Sequence, residues 1–337
     1  MAATAAAVTV FPCINGHQPR LGLLRHRLPA GKPSSISTRF HCHGSRARRL
    51  FPLAAKSRRE PTQAGVEEKD EPEFSLLTAM TTPHNEIVIL DTTDSRILLL
   101  DPSHNIHSIY MKETKWTGSY WDEFASLPAI VPSGPIAMLG LGGGTAAHLM
   151  LDLWPSLELD GWEIDEILID KAREYLGLSI LEKRNDAGGV LRVHVGDALS
   201  PDVAVPGGFA GIVVDLFADG EVLPQLEEVS TWMQLGKKLM SNGRIMVNCG
   251  GTLDEDCSLG KRMDHVHVSS HGILGKNPTM EAMREAFSEV NWKKMEQGES
   301  LNFLALTGPL PDVDQWAQAV PEKLSSNVRQ WKPCSSL

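Results

Sequence analysis

Acidic residues are absent from the first 59 positions of this 337-residue chain, although that stretch carries 11 of its 32 Lys and Arg. All 42 Asp and Glu follow, so a +11 segment precedes one of −21, and the net charge of −10 describes neither. Cysteine is scarce. Cys13, Cys42, Cys249, Cys257 and Cys334 include no C-x-x-C pair, so neither a disulfide framework nor a zinc ribbon fits. Apolar runs are short, and none approaches the roughly 18 residues of a membrane-spanning helix. The acidic second segment lacks the clustered cations that phosphate contacts need, which argues against a general nucleic-acid binder.

The first segment has the composition of an organelle transit peptide. It opens MAATAAAVTV, turns rich in Arg and Pro, and carries Ser34, Ser35, Ser37 and Thr38. Ala2–Val10 is too weakly apolar for a secretory signal. The Ala- and hydroxyl-rich start favours a chloroplast address, with the mitochondrion as second choice and a basic nucleic-acid arm as the plain alternative. Cleavage is expected near Ala54–Ala55. Residues 56–83 are charged, hold Pro61 and Pro72, and read as a disordered linker.

Beyond the linker the rhythm is that of strands. EIVILDT, RILLLD and HSIYMK, separated by turn residues, predict a small antiparallel β unit over 84–118. Tyr120–Ile130 predicts a short helix. From Ile136 strands alternate with helices: IAMLGL, helix 146–153, LELDGWEI, helix 165–176, LRVHVGDA, GIVVDLF, helix 226–240, RIMVNCG, helix 280–288 and strand 301–306. This alternation predicts an α/β domain over 119–312 with a doubly wound, mostly parallel sheet. Residues 313–337 read as a C-terminal tail.

The chemistry concentrates at the carboxyl ends of successive strands, where open α/β sheets bind ligands. Gly140, Gly142, Gly143 and Gly144 follow the first strand and precede a helix, whose free N–H groups suit an anionic group. Glu163 ends the next strand, where a carboxylate can accept both ribose hydroxyls of a nucleoside. Asp197 and Ala198 end another, with an acid and a backbone N–H that suit an adenine edge. Asp215 ends the strand after that. Plain readings exist as well: Glu163 and Asp197 as helix caps, Asp215 as a cap or turn residue.

From about Glu86 to Leu310 the chain resembles the spermidine-synthase family of the class I S-adenosylmethionine-dependent methyltransferase superfamily. The resemblance rests on the β unit ahead of the sheet, on Trp162-Glu163-Ile164-Asp165-Glu166 with Ala172–Leu176 behind it, on Gly196-Asp197-Ala198, and on Asp215. It implies a seven-stranded sheet and a nucleoside cofactor held by the glycine loop, Glu163, Ile164, Asp197 and Ala198. It places Asp215, with Asp219 nearby, at the catalytic loop. Three departures bear on the reaction. Gly143 stands where aminopropyltransferases carry an Asp for the ammonium of decarboxylated S-adenosylmethionine. The acid loop reads Asp215-Leu216-Phe217-Ala218-Asp219-Gly220, with its second acid one place late and no Pro. Tyr120-Trp121-Asp122-Glu123 replaces the family's Tyr-His-Glu signature. A bare helix N-terminus welcomes a carboxylate, so the expected cofactor is intact S-adenosylmethionine. The expected activity is methyl transfer to a small-molecule or protein acceptor, with Asp215 or Asp219 orienting or deprotonating the nucleophile. The alternatives are a polyamine aminopropyltransferase using the decarboxylated donor and a non-catalytic subunit of a plastid complex. A nicotinamide-dependent dehydrogenase fits less well, because Thr145 occupies the last glycine position of that fingerprint. The resemblance also allows a homodimer.

Other features take plainer readings. Asp264, His265, His267 and His271 make a His-rich loop, better suited to a substrate-facing lid than to a metal. Trp116 and Trp121 could line a substrate pocket, with core packing or a helix–sheet contact as the default reading for each. Met280, Met283 and Phe287 recur at helical spacing and predict a core face.

Overall fold

The computed structural model describes residues 7–10, 21–24, 74–102, 105–251, 277–297 and 300–334. Near the N-terminus β1 (Ala7–Val10) pairs antiparallel with β2 (Leu21–Leu24). The rest of the expected address lies outside the described residues, as does the His-rich loop.

The β unit is a four-stranded antiparallel meander: β3 (Ser75–Thr81), β4 (Glu86–Asp91), β5 (Ser95–Leu99) and β6 (Ser108–Met111). Its first strand corrects the expected linker, which ran through residue 83. SLLTAMT has polar residues on both faces and a register shift between Leu76 and Thr78, so it lacks clean alternation. Pairing with β4, not its own pattern, makes it a strand.

The main sheet has the order β16–β14–β15–β13–β10–β7–β8–β9. Five strands are parallel: β7 (Ile136–Leu139), β8 (Glu158–Glu163), β9 (Val190–Val195), β10 (Phe209–Val214) and β13 (Leu239–Asn248). β15 (Ser300–Thr307) runs antiparallel to β13 and to β14 (Val290–Gln297), completing the seven expected strands. Two residues of β16 (Lys332–Pro333) add an eighth at the edge. Successive strand residues point to opposite faces. Ile136 and Met138 enter one core with α1 (Tyr120–Phe124), α2 (Thr145–Leu153), α3 (Glu166–Tyr175), α4 (Leu178–Leu181) and the β unit. Ala137 and Leu139 enter a second core with α5 (Val229–Gly236) and α6 (Pro278–Ala286). Met280 and Met283 are buried there, as their spacing predicts.

Several boundaries differ from expectation. The helix expected over 226–240 ends at Gly236. Asn242, at φ 63, and Gly243 do not stop a helix but lie within β13. The helix expected over 120–130 breaks at Ala125 and resumes as a 3-10 turn, Leu127–Ile130, with Pro128 in its first positions. The expected tail is structured. It forms α7 (Val313–Ala319) and α8 (Glu322–Val328), with Trp316 and Trp331 buried and stacked at 6.1 Å. Their apolar positions are few and widely spaced, so no periodic run marks them in the sequence.

Candidate nucleoside-cofactor site

A cavity of about 790 Å³ opens at the carboxyl ends of β7, β8, β10 and β13, facing the β unit. Strand β7 lies between β8 and β10, so this is the point where the strand order reverses. Gly140, Gly142, Glu163 and Ile164 line it, and so do Asp197, Ala198, Asp215 and Asp219. Gly143 and Gly144, expected at the cofactor, do not. The Gly143 N–H is taken by Ser108 Oγ at 2.8 Å, and Gly144 is the left-handed N-cap of α2. A side chain at Gly143 would begin 2.5 Å from Leu176 Cδ1 and 2.8 Å from Ser108 Cβ. The position at which the resemblance leads one to expect an acid in an aminopropyltransferase is crowded here.

The loop owes its shape to the β unit. Thr145 Oγ1 accepts from Ile109 N at 2.8 Å and donates to Ile109 O at 3.0 Å, clamping the edge strand β6 to the start of α2. Asp165 is the N-cap of α3, accepting from Ile167 N and Leu168 N. Its other oxygen accepts from Thr82 Oγ1 at 2.6 Å and Asn85 Nδ2 at 2.8 Å. With Asp165 as cap, the cap reading of Glu163 falls away.

Glu163 is buried at the end of β8. Its Oε2 accepts from Gly142 N at 3.0 Å and its Oε1 from Asp165 N at 3.2 Å. Burial pushes this carboxyl above its ordinary range, against the backbone N–H groups that favour the charge. Beside it Ile164 is 49% exposed, an apolar face turned to the cavity. Ala198 supplies a second apolar surface, and Trp162 a third, stacked on His194 at 4.5 Å. Asp197 is exposed and accepts from Leu199 N at 2.8 Å, so its local turn role is real even though it lines the cavity.

Asp215 is held by three neutral donors. Tyr120 Oη and Trp121 Nε1 reach Oδ2 at 3.1 and 3.2 Å, and Asn248 Nδ2 reaches Oδ1 at 3.0 Å. Burial raises its pKa to about 6, and the three hydrogen bonds limit the rise. Its partner Tyr120 is pushed well above its ordinary value by burial and by the adjacent carboxylate. Asn248 is oriented in turn, since its Oδ1 accepts from Gly250 N at 3.0 Å. Asp219 has a different place. It lies at φ 52 beside Gly220 in the tight turn between β11 (Phe217–Ala218) and β12 (Glu221–Val222), exposed at the cavity rim. Asp-Gly between two short strands is a hairpin signal that the catalytic-loop expectation overrode.

Trp121, a candidate for the pocket with core packing as its default reading, lines the cavity. Sequence reasoning missed Asn248 and Ser108, which carry no motif. Trp116 packs on the core beneath Lys323, 5.0 Å from its ring centroid, and does not line the cavity. Cys249 is buried, and burial pushes its thiol far up, which does not suit a redox role. Cys257 lies outside the described residues.

No family model matches the chain. A probable polyamine aminopropyl transferase of Bifidobacterium longum (strain NCC 2705) is 24% identical over 220 residues, covering 65% of this chain and 47% of that protein. The chain thus spans about half the length of this curated relative. A probable spermidine synthase from Corynebacterium glutamicum ATCC 13032 matches with a TM-score of 0.54 at 16% identity, over 78% of this chain and 91% of that one. A spermidine synthase in complex with the transition-state analogue AdoDATO matches with a TM-score of 0.50 at 14% identity, over 74% and 77%. The fold is that of the spermidine synthases. It is a class I methyltransferase-like sheet preceded by a small antiparallel β unit.

Proposed function

We propose that this chain is a spermidine-synthase-like transferase that binds S-adenosylmethionine and transfers its methyl group to a small-molecule or protein acceptor. The observation that carries this reading is the pairing of Glu163 with the closed position at Gly143. Glu163 presents a buried carboxylate for a ribose, beside the apolar surfaces of Ile164 and Ala198 for a base. Gly143 offers neither an acid nor the space for one, so the ammonium of a decarboxylated donor lacks its partner there. Asp215 is the group that takes up or orients the proton of the nucleophile. The N-terminal 55 residues direct the protein to the chloroplast. Fusion of that segment to a fluorescent protein tests this, and cytosolic fluorescence would refute it.

One observation favours a second reading, aminopropyl transfer. The described lining of the cavity includes Asp101, Glu163, Asp215, Glu221 and Glu227 and contains no Lys or Arg, which suits an amine. The relatives are named for that chemistry. Calorimetry with both donors separates the two. Tighter binding of intact S-adenosylmethionine is expected; a preference for the decarboxylated donor, with turnover on a diamine, would establish the second reading. Binding of neither points to a non-catalytic subunit.

A further inference from the structure

Helix α1 is too short to hold its own shape, since helices of fewer than about 12 residues are marginal alone. It has five residues, Tyr120–Phe124, and two of them reach Asp215. Contacts from its own N-terminal loop and from distant parts of the chain fix it in place. At its start, Asp122 accepts from Thr117 N, Thr117 Oγ1 and Gly118 N at 2.8–3.0 Å. At its end, Trp154 Nε1 donates to Ala125 O at 2.8 Å, and Trp316 Nε1 to Ser126 O at 3.0 Å. Within it, Glu123 meets Lys293 Nζ of β14 at 2.9 Å, with side chains 0% and 1% exposed. Lys293 Nζ also donates to Asn327 O of α8 at 3.0 Å.

A fully buried ion pair is weak evidence of stability, because desolvating two charges costs about as much as their attraction returns. Apolar residues of similar volume serve a core as well or better. What the pair offers instead is a fixed contact: the Lys293 ammonium lies 2.9 Å from Glu123 Oε1 and donates to the Asn327 carbonyl, tying α1 to β14 and α8. We infer that Glu123 and Lys293 are positioning residues for the cavity, holding α1 where Tyr120 and Trp121 reach the Asp215 carboxylate. Residues of β14 and α8 thereby shape the site without touching it. The inference holds whichever donor binds, and whether or not the chain is catalytic.

The test needs no ligand. The Trp121 indole N–H of the full chain, assigned by its loss in Trp121→Phe, is followed by ¹⁵N NMR while pH is varied. Wild type is expected to show an indole step as Asp215 ionises, absent in Asp215→Asn. Tyr120 on α1 and His107 on the β unit also face Asp215, so His107→Gln serves to show that the step is not imidazole titration. Lys293→Met should lose the step, but it leaves Glu123 buried without a cation and can fail to fold. The double variant Glu123→Leu/Lys293→Met therefore decides. It should melt near the wild-type temperature and still lack the step. A double variant that keeps the full step overturns the inference, because packing alone then positions α1. One that cannot fold overturns it too, because the pair then serves the whole core.

Discussion

Gly140 and Asp215 face each other so closely that a Cβ on Gly140 would lie 2.2 Å from the Asp215 carbonyl oxygen. The two sit at the ends of neighbouring parallel strands, and the Asp215 N–H donates to Leu139 O at 2.9 Å. Gly140 also lies at φ +86, where a side chain is strained whatever the space. Gly140→Ala should therefore cost at least about 2 kcal/mol in urea unfolding, through strain and a backbone shift together. A smaller loss would mean that the two strand ends part easily.

Glu163 offers a direct assay of the proposed pocket. Glu163→Gln keeps the size of the side chain and removes the charge that a ribose hydroxyl would meet. Loss of charge-assisted bonds of about 1.5–3 kcal/mol weakens nucleoside binding roughly ten- to hundredfold. Calorimetry with S-adenosylmethionine and its demethylated product measures this. Equal affinity in variant and wild type would put the nucleoside elsewhere.

Asp215 should leave a signature in the pH dependence of stability. Its pKa rises on folding from the ordinary 3.8 to about 6. Its contribution is thus fully present below pH 4 and lost as pH rises through about 6, by roughly 3 kcal/mol at most. Asp215→Asn cannot ionise, so its unfolding midpoint should change less between pH 4 and 7 than that of wild type. If Asp215 accepts the proton of the nucleophile, wild-type turnover rises through the same window.

Asp165 works in the opposite sense. Burial raises its pKa, but Thr82, Asn85 and the N–H groups of Leu168 and Ile167 outweigh that and hold it below the usual carboxylate range. Its stabilisation is present above the unfolded value of about 3.9 and lost as pH falls through the folded one. Asp165→Ala removes a helix cap worth about 1 kcal/mol, and the two bonds to the β unit besides. Urea unfolding at pH 7 should show a clear loss that narrows toward pH 3. A gap independent of pH would assign the loss to packing.

The glycine loop, Glu163, Asp197 and Asp215 were legible because each stands at the carboxyl end of a strand that the strand–helix alternation predicts, the edge where open α/β sheets bind ligands. Ile136–Leu139 and Phe209–Val214 were the most legible strands, because parallel strands buried on both faces read as continuous apolar segments. Val290–Gln297 escaped because Lys293 and Lys294 interrupt it, and one of those lysines is buried in an ion pair. Ser75–Thr81 escaped because its partner strand, not its own pattern, defines it. Asn248 and Ser108 could not be read at all. Their roles depend on Asp215 and Gly143, which lie 33 and 35 residues away in the chain.

The clamp between Thr145 and Ile109 bears on how the chain can be divided. A fragment cut at the apparent domain boundaries, 119 and 312, would keep every glycine of the loop. It would lose Ser108 and Ile109 from one side and Trp316 from the other. The shape of this cavity belongs to the assembled whole, and a fragment bounded at 119 and 312 would not keep it.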